Sequence, residues 1–171
     1  MKTLTIDWQR LVEAGKTCPR CGDTGGQVRQ AAATLGQTLA PLGIEVHLRE
    51  GQLSVDEFGR APLESNRILL KGRTLEEWIG AQTGQSPCCE VCGPNDCRTV
   101  TLEGATYESI PADLVVRAGL LAAAELLAEP DEQAASCCGP TVPVQATIPV
   151  RGSSEALEVA LLSSKGPGCC G

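Results

Sequence analysis

The first fifty residues alternate between strand and helix patterns, and this alternation constrains the fold more than any other feature. The segments TLTIDWQ and IEVHL place apolar side chains on every second residue, which is the period of a strand. Between them, apolar residues recur three and four positions apart, which is the period of a helix. The apolar positions are Leu4, Ile6 and Trp8, then Val28, Ala31, Ala32, Leu35, Leu39 and Leu42, then Ile44, Val46 and Leu48. The order strand, cysteine-containing loop, helix, strand predicts a βαβ unit.

The middle of the chain predicts a further strand and a capped element. Residues 51–66 carry no clear period and are expected to form a loop or irregular structure. RILLKG is a short, nearly continuous apolar run that suits a central strand. TLEE has the capping-box pattern, with Thr74 at the N-cap and Glu77 three residues later. This pattern leaves open a short helix or a second hairpin strand through Trp78.

The last part of the predicted domain is a hairpin followed by a helix. RTVTLEGATYES predicts two strands that turn at residues 103–104. Pro111 then opens a long helix that is apolar on most sides, and we expect this helix to pack across the sheet. The prediction is therefore a mixed α/β domain with a βαβ unit, a β-hairpin and a closing helix.

The composition changes at Pro130, where we place a domain boundary. Residues 1–129 form the predicted domain, and residues 130–171 form a loosely held appendage rich in Cys, Gly and Pro. The prolines of TVPVQATIPV argue against central strands in this appendage. It contains two CCG sequences, one with Cys137 and Cys138 and one with Cys169 and Cys170.

Charge and cysteine content limit the classes of partner. The net charge of −7 and the lack of a long basic run argue against nucleic acid as a partner. No apolar run approaches eighteen residues, and the N-terminus lacks the apolar region of a signal peptide, so we expect a cytoplasmic protein without membrane insertion. Its ten cysteines would stay reduced there, where clustered thiols more often bind metal or perform redox catalysis.

Three pairs of adjacent cysteines favour binding of a soft ion. The pairs are Cys88 with Cys89, Cys137 with Cys138, and Cys169 with Cys170. Neighbouring Cα atoms lie about 3.8 Å apart. This is shorter than the roughly 4.4–6.8 Å of an ordinary disulfide. The two thiols of a pair therefore suit a shared third partner, such as Hg, As, Cu or Zn.

The CPRC sequence supports a redox hypothesis. It would place Cys18 and Cys21 at the entry to the first helix, where free N–H groups stabilise a thiolate. Cys18 would then be the catalytic nucleophile, and Cys21 would resolve the mixed disulfide. The intervening GDTGG is expected to separate Cys18 from the periodic helix by about a turn, and Asp23 would oppose a thiolate.

A structural zinc site is the alternative for the same cysteines. CPRCG and CEVCG read as two zinc knuckles that supply four thiolates, with Cys88 or Cys97 as substitute ligands. The predicted ligands are Cys18, Cys21, Cys89 and Cys92. The long stretch between the knuckles is unusual for such a site. The single histidine, His47, is interpreted as a strand residue.

With these motifs in place, the chain resembles the thioredoxin-like superfamily. More closely, it resembles a bacterial family catalogued as a domain of unknown function. The resemblance covers residues 1–128 through LTIDWQRL, SNRILLKGRTLEEWIG, QSPCCEVCG and YESIPADLVVRAGLLAA. Two features depart from ordinary thioredoxins. CPRC replaces the Gly-Pro centre, and ESN around Asn66 stands where thioredoxins keep a cis-proline.

The paired cysteines after residue 130 are similar to those of bacterial arsenic metallochaperones. That resemblance implies transfer of As(III) on cysteine pairs to an efflux protein. We therefore expect a soft metal or metalloid protein of metal resistance. Its domain centre would hold Cys18, Cys21, Cys88, Cys89 and Cys92, with the pairs at 137/138 and 169/170 as collectors. A thiol oxidoreductase or metal-compound reductase is the alternative.

Overall fold

The computed structural model describes residues 1–129. These residues form two β-sheets and four α-helices. The strands are β1 Lys2–Leu11, β2 Ile44–Leu53, β3 Arg67–Leu70, β4 Arg73–Thr74, β5 Gln82–Pro87, β6 Asp96–Leu102 and β7 Ala105–Tyr107. The helices are α1 Pro19–Leu39, α2 Val55–Arg60, α3 Leu75–Ile79 and α4 Ala112–Ala128.

The predicted appendage lies outside the described residues, so its role stays a prediction. The same holds for four of the cysteines that the sequence analysis named as metal ligands, which are Cys137, Cys138, Cys169 and Cys170. The structure therefore shows the positions of the six cysteines within residues 1–129.

The larger sheet has the strand order β2-β1-β3-β4 and confirms the predicted βαβ unit. Strand β1 pairs in parallel with β2, with Leu4 opposite Val46, and antiparallel with β3, with Ile6 opposite Leu70. Helix α1 connects the two parallel strands. This order and these directions are those of a thioredoxin-like core.

Helices α1 and α4 bury the apolar face of this sheet. The predicted face of α1 is buried at Val28, Ala31, Leu35 and Leu39. The Trp8 ring lies so close to Gly25 that a Cβ there would be 2.4 Å from the ring. A Cβ on Gly119 of α4 would likewise be 2.4 Å from a methyl group of Leu35. These two glycines let the helices approach the sheet and each other.

The smaller sheet has the order β5-β6-β7 and confirms the predicted hairpin. Its turn lies at Glu103 and Gly104, which both have positive φ angles. Strands β5 and β6 also form an antiparallel pair, in which Ser86 faces Cys97. The cysteine-rich sequence is therefore the connection of a second hairpin.

The segment 51–66 is more ordered than its sequence predicted. Strand β2 continues to Leu53 because it stays in register with β1 up to Leu11. A capping box between Ser54 and Glu57 then starts α2, and burial of Phe58 holds this helix against the domain. The expected loop is thus confined mainly to a short 3₁₀ turn and its flanks.

The capping box at Thr74 and Glu77 is present and selects the helical alternative, α3. The long helix α4 begins after Pro111, as predicted.

Within residues 1–129, no helix combines the length and apolar character needed to cross a membrane.

Candidate metal centre

Cys18 occupies the N-cap of α1, immediately after the loop that follows β1. The helix starts at Pro19, so GDTGG is helical and does not separate Cys18 from the helix as predicted. Glycine is disfavoured in helices, but the close approach of Trp8 requires it at position 25. The Cys18 Sγ atom accepts a hydrogen bond from the Cys21 backbone N–H at 3.4 Å. The helix terminus therefore supplies a donor to this sulfur.

The other cysteines of the site lie in the connection between β5 and β6. A 3₁₀ turn, Glu90–Cys92, shapes this connection, and the Cys92 N–H donates to the Cys89 carbonyl at 3.0 Å. The Asn95 side chain donates to the Cys92 carbonyl at 3.3 Å. Cys97 follows as the second residue of β6.

Two arginines fix this hairpin to the rest of the domain. Arg20, inside CPRC, donates to the Ser86 hydroxyl at 2.9 Å and to the Pro87 carbonyl at 2.7 Å. Arg98, next to Cys97, forms an ion pair of 2.8 Å with Glu76 of α3, and the two side chains are only 8% and 6% exposed. Neither arginine was assigned a role from the sequence. The position of Arg20 between two cysteines was the available signal for the first.

The fold brings four sulfur atoms together, those of Cys18, Cys88, Cys92 and Cys97. All four Sγ atoms lie within 4.8 Å of one another. The separation is 3.8 Å between Cys18 and Cys88, and 3.2 Å between Cys92 and Cys97. Cys88 is partly exposed, and the other three are buried. The group could hold a metal ion in a site with one accessible ligand.

The predicted zinc set differs from this group in two members. Cys88 and Cys97, the substitutes named from the sequence, stand in place of Cys21 and Cys89. Cys21 lies on the buried face of α1, where its Sγ atom is 3.6 Å from the Ser65 hydroxyl. Cys89 caps the 3₁₀ turn and remains half-buried. The long chain separation does not oppose a shared site, because β1 and the β5–β6 connection meet at the N-terminus of α1.

The segment ESN faces the CPRC motif, as its place before the third strand suggests. The Ser65 hydroxyl contacts Cys21 and also accepts the Leu11 N–H at 3.0 Å. Asn66 has a φ of 65° and accepts a hydrogen bond from the Trp8 indole N–H at 3.3 Å. His47 is an exposed residue of β2 that pairs with Glu45, in line with its interpretation as a strand residue.

The thiols of this region differ in their acidity. Hydrogen bonds, first from the Cys21 thiol and then from Cys97, hold the pKa of Cys18 far below the usual thiol range. The same interaction with Cys18, followed by burial, raises the pKa of Cys21 and of Cys97. Burial is the main cause that raises the pKa of Cys92. Of these four thiols, Cys18 is the one whose hydrogen bonds favour the thiolate, because its pKa is lowered and those of Cys21, Cys92 and Cys97 are raised.

The spacing of the four sulfurs suits tetrahedral coordination. Four thiolates at the usual zinc–sulfur distance of about 2.3 Å lie about 3.8 Å from each other. The separations in the cluster bracket that value, so an ion at the centre requires shifts of less than about 1 Å. Three of these sulfurs belong to buried residues, and one belongs to the partly exposed Cys88.

Comparison with known proteins identifies a family but no activity. A family described as a domain of unknown function (DUF2703) matches residues 4–119 of this chain, a range that contains all four clustered cysteines. A protein of Archaeoglobus fulgidus, described as uncharacterized, is 46% identical over 112 residues, which cover 66% of this chain and 82% of that protein. This similar protein is archaeal, whereas the sequence resemblance suggested a bacterial family. No solved structure matches the chain.

Proposed function

We propose that this chain, which belongs to the DUF2703 family, binds one soft metal ion or metalloid through the thiolates of Cys18, Cys88, Cys92 and Cys97. The observation that carries the proposal is the mutual approach of these four Sγ atoms within 4.8 Å. They come from two segments about seventy residues apart, so local sequence proximity alone does not explain the cluster.

Sulfur-only, four-coordinate geometry favours Zn(II) as the ion, because tetrahedral sites with four sulfur ligands typically hold zinc or iron–sulfur centres. Hg(II) and Cu(I) are also thiophilic and can use some or all of these ligands. As(III) forms three bonds to sulfur and would leave one cysteine free. The donor set therefore defines the class of ion as soft and thiophilic.

The exposure of Cys88 supports a role in capture and transfer. An incoming thiolate from a partner can replace this ligand first while the three buried sulfurs hold the ion. Transfer then proceeds through mixed coordination without a free ion. The cysteine pairs after residue 130 offer further thiols for such exchange. We propose a carrier in metal resistance, in a reducing compartment such as the cytoplasm, with a metal efflux or detoxification protein as its partner.

Elemental analysis with matched cysteine variants tests the proposal. The background is the full-length protein, which retains six cysteines when serine replaces Cys137, Cys138, Cys169 and Cys170. We expect one equivalent of Zn(II) to protect the four clustered thiols from alkylation. Cys92→Ser should abolish this protection, whereas Cys89→Ser should keep it. Binding with equal strength in both variants, or no binding in the background protein, would refute the site.

A thiol oxidoreductase is the second candidate, with Cys18 and Cys21 as its pair. The hydrogen bond from the Cys21 N–H to the Cys18 sulfur favours it, because donors at a helix N-terminus stabilise a nucleophilic thiolate. Reduction of a small aromatic disulfide by the metal-free protein is the assay. Full activity in Cys18→Ser would exclude this role, with Cys89→Ser as the matched control.

A further inference from the structure

Cys21 is the buried thiol beside the metal centre that the proposed ligand set does not use. We propose that Cys21 competes with the metal for Cys18: a low-molecular-weight disulfide oxidises the pair to a Cys18–Cys21 disulfide and so removes one ligand from the ion. This inference rests on the proposed function, because it assumes that Cys18 is a ligand. It makes metal release a consequence of the thiol–disulfide balance around the protein.

The backbone holds the two residues at a distance that suits a disulfide. Cys18 is the N-cap of α1 and Cys21 is its third residue. Residues three apart along a helix have Cα atoms about 5 Å apart, from the rise and radius of the helix. Disulfides require a Cα separation of roughly 4.4–6.8 Å. The bond can therefore form with side-chain rotation and little movement of the helix.

Cys21 is also the neighbouring sulfur that remains available when the ion is bound. In the loaded site, the electron pairs of the Cys92 and Cys97 thiolates are bonded to the metal. These two sulfurs are only 3.2 Å apart, but both belong to buried residues, so the oxidant reaches Cys88 first. The Cys21 Sγ atom instead lies 3.6 Å from the Ser65 hydroxyl, and the Cys21 backbone N–H donates to the Cys18 sulfur. It can attack Cys18 without first leaving the metal.

The oxidant reaches the site through Cys88, because Cys18 and Cys21 are each only 1% exposed. The Cys88 thiolate attacks the disulfide RS–SR, forms a mixed disulfide and releases RS⁻. Cys18, whose sulfur is 3.8 Å from that of Cys88, then attacks the Cys88 sulfur and releases the second RS⁻. Cys21 attacks Cys18, which restores the Cys88 thiolate and passes the Cys21 proton to a released thiolate. Two electrons move from the cysteine pair to the oxidant, which leaves as one RS⁻ and one RSH.

Loss of Cys18 leaves three thiolates on the ion and an open coordination position. We expect the affinity for the metal ion to fall, because one of the four thiolates is lost. The lost Cys18 thiolate is also the one that accepts a hydrogen bond from the helix N-terminus. A dithiol reductant reverses the change by reducing the Cys18–Cys21 disulfide. Metal binding and disulfide formation therefore compete for the Cys18 sulfur atom.

Zinc release by oxidised glutathione tests this inference in the full-length background with serine at positions 137, 138, 169 and 170. The zinc-loaded protein is mixed with oxidised glutathione and a chromophoric chelator, and Cys21→Ser is compared with Cys89→Ser. We expect release from Cys21→Ser to be about tenfold slower, because without Cys21 the released thiolates reverse the Cys18–Cys88 disulfide and Cys18 returns to the ion. Cys89→Ser should release zinc at the background rate, and peptide mapping should find Cys18–Cys21 as the product.

The outcomes separate this inference from the proposed function. If the background protein binds no zinc under reducing conditions, the proposed metal site fails. If it binds one zinc but Cys21→Ser releases it as fast as the background, only the role of Cys21 is overturned. A Cys92–Cys97 disulfide as the sole product would also overturn it.

Discussion

The two halves of the cysteine cluster are built differently. Cys18 belongs to the β1–α1 junction, where the buried strand and the packed face of α1 fix its position. The other three sulfurs lie on residues 88–97, which form the β5–β6 connection and the first two residues of β6, with Gly93 and Pro94 exposed. The difference indicates that the first half is formed by the fold itself. The second half depends on its links to the domain through Arg20 and Arg98.

The largest effect should come from the buried ion pair that fixes β6. Replacement of Arg98 by Met leaves the Glu76 carboxylate buried without its partner, so we expect the free energy of unfolding to fall by about 3–5 kcal/mol. Urea denaturation of the metal-free protein measures it. The double variant Arg98→Met/Glu76→Gln should recover part of the loss. A loss below about 1 kcal/mol would show that the pair does not hold the hairpin.

Removal of a single ligand on the hairpin should come next. Cys97→Ser should lower zinc affinity by about 100-fold or more, because a neutral hydroxyl replaces a thiolate in a four-sulfur site. Competition with a chelator of known affinity measures the change. Hydrogen exchange should then show faster exchange at residues 88–97 and unchanged protection in β1. Equal loss of protection in both regions would contradict the difference between the two halves.

Substitutions in helices α1 and α4, away from the cysteines, should change the stability of the protein and leave its zinc affinity unchanged. Gly119→Ala should lower the free energy of unfolding by about 1–2 kcal/mol, because its Cβ would overlap the buried Leu35 side chain. Gly36→Ala, where nothing lies within 4 Å of the new Cβ, should instead raise stability by up to about 1 kcal/mol. Thermal unfolding measures both changes. A change of zinc affinity in either variant would contradict the separation.

The smallest effect should come from the link between the two halves. Arg20→Lys keeps the charge but loses the planar fork that reaches Ser86 and Pro87. We expect zinc affinity to fall about two- to fivefold, which corresponds to roughly 0.5–1 kcal/mol. Arg29→Lys, in an exposed pair with Glu50, is the matched control and should leave zinc affinity unchanged. Identical affinities in the two variants would show that Arg20 does not position the hairpin.

The fold could be predicted where local pattern and tertiary packing agree. The periodic apolar face of α1, the turn at residues 103–104 and the start of α4 after Pro111 were all evident in the sequence. Residues 51–66 could not be predicted in the same way. Their strand continues through Gly51 only because pairing with β1 compensates for its weak local preference.

The identity of the clustered cysteines was only partly predictable. Spacing pointed to Cys21 and Cys89, because CxxC is the usual metal knuckle. The helix instead directs Cys21 toward Ser65, and Cys89 is the N-cap residue of the 3₁₀ turn, which it joins through its backbone carbonyl. Which member of an adjacent pair faces the centre depends on how β5 enters the turn, and one sequence does not reveal this. The roles of Arg20 and Arg98 likewise depend on contacts between distant segments.

The contact between Gly25 and Trp8 has an evolutionary consequence. The ring sets the distance between the first turns of α1 and the sheet, and Cys18 stands at the start of that helix. A larger residue at position 25 would therefore displace the sulfur unless position 8 became smaller at the same time. Among homologous chains that keep the four cysteines, these two positions should covary, although neither belongs to the cluster.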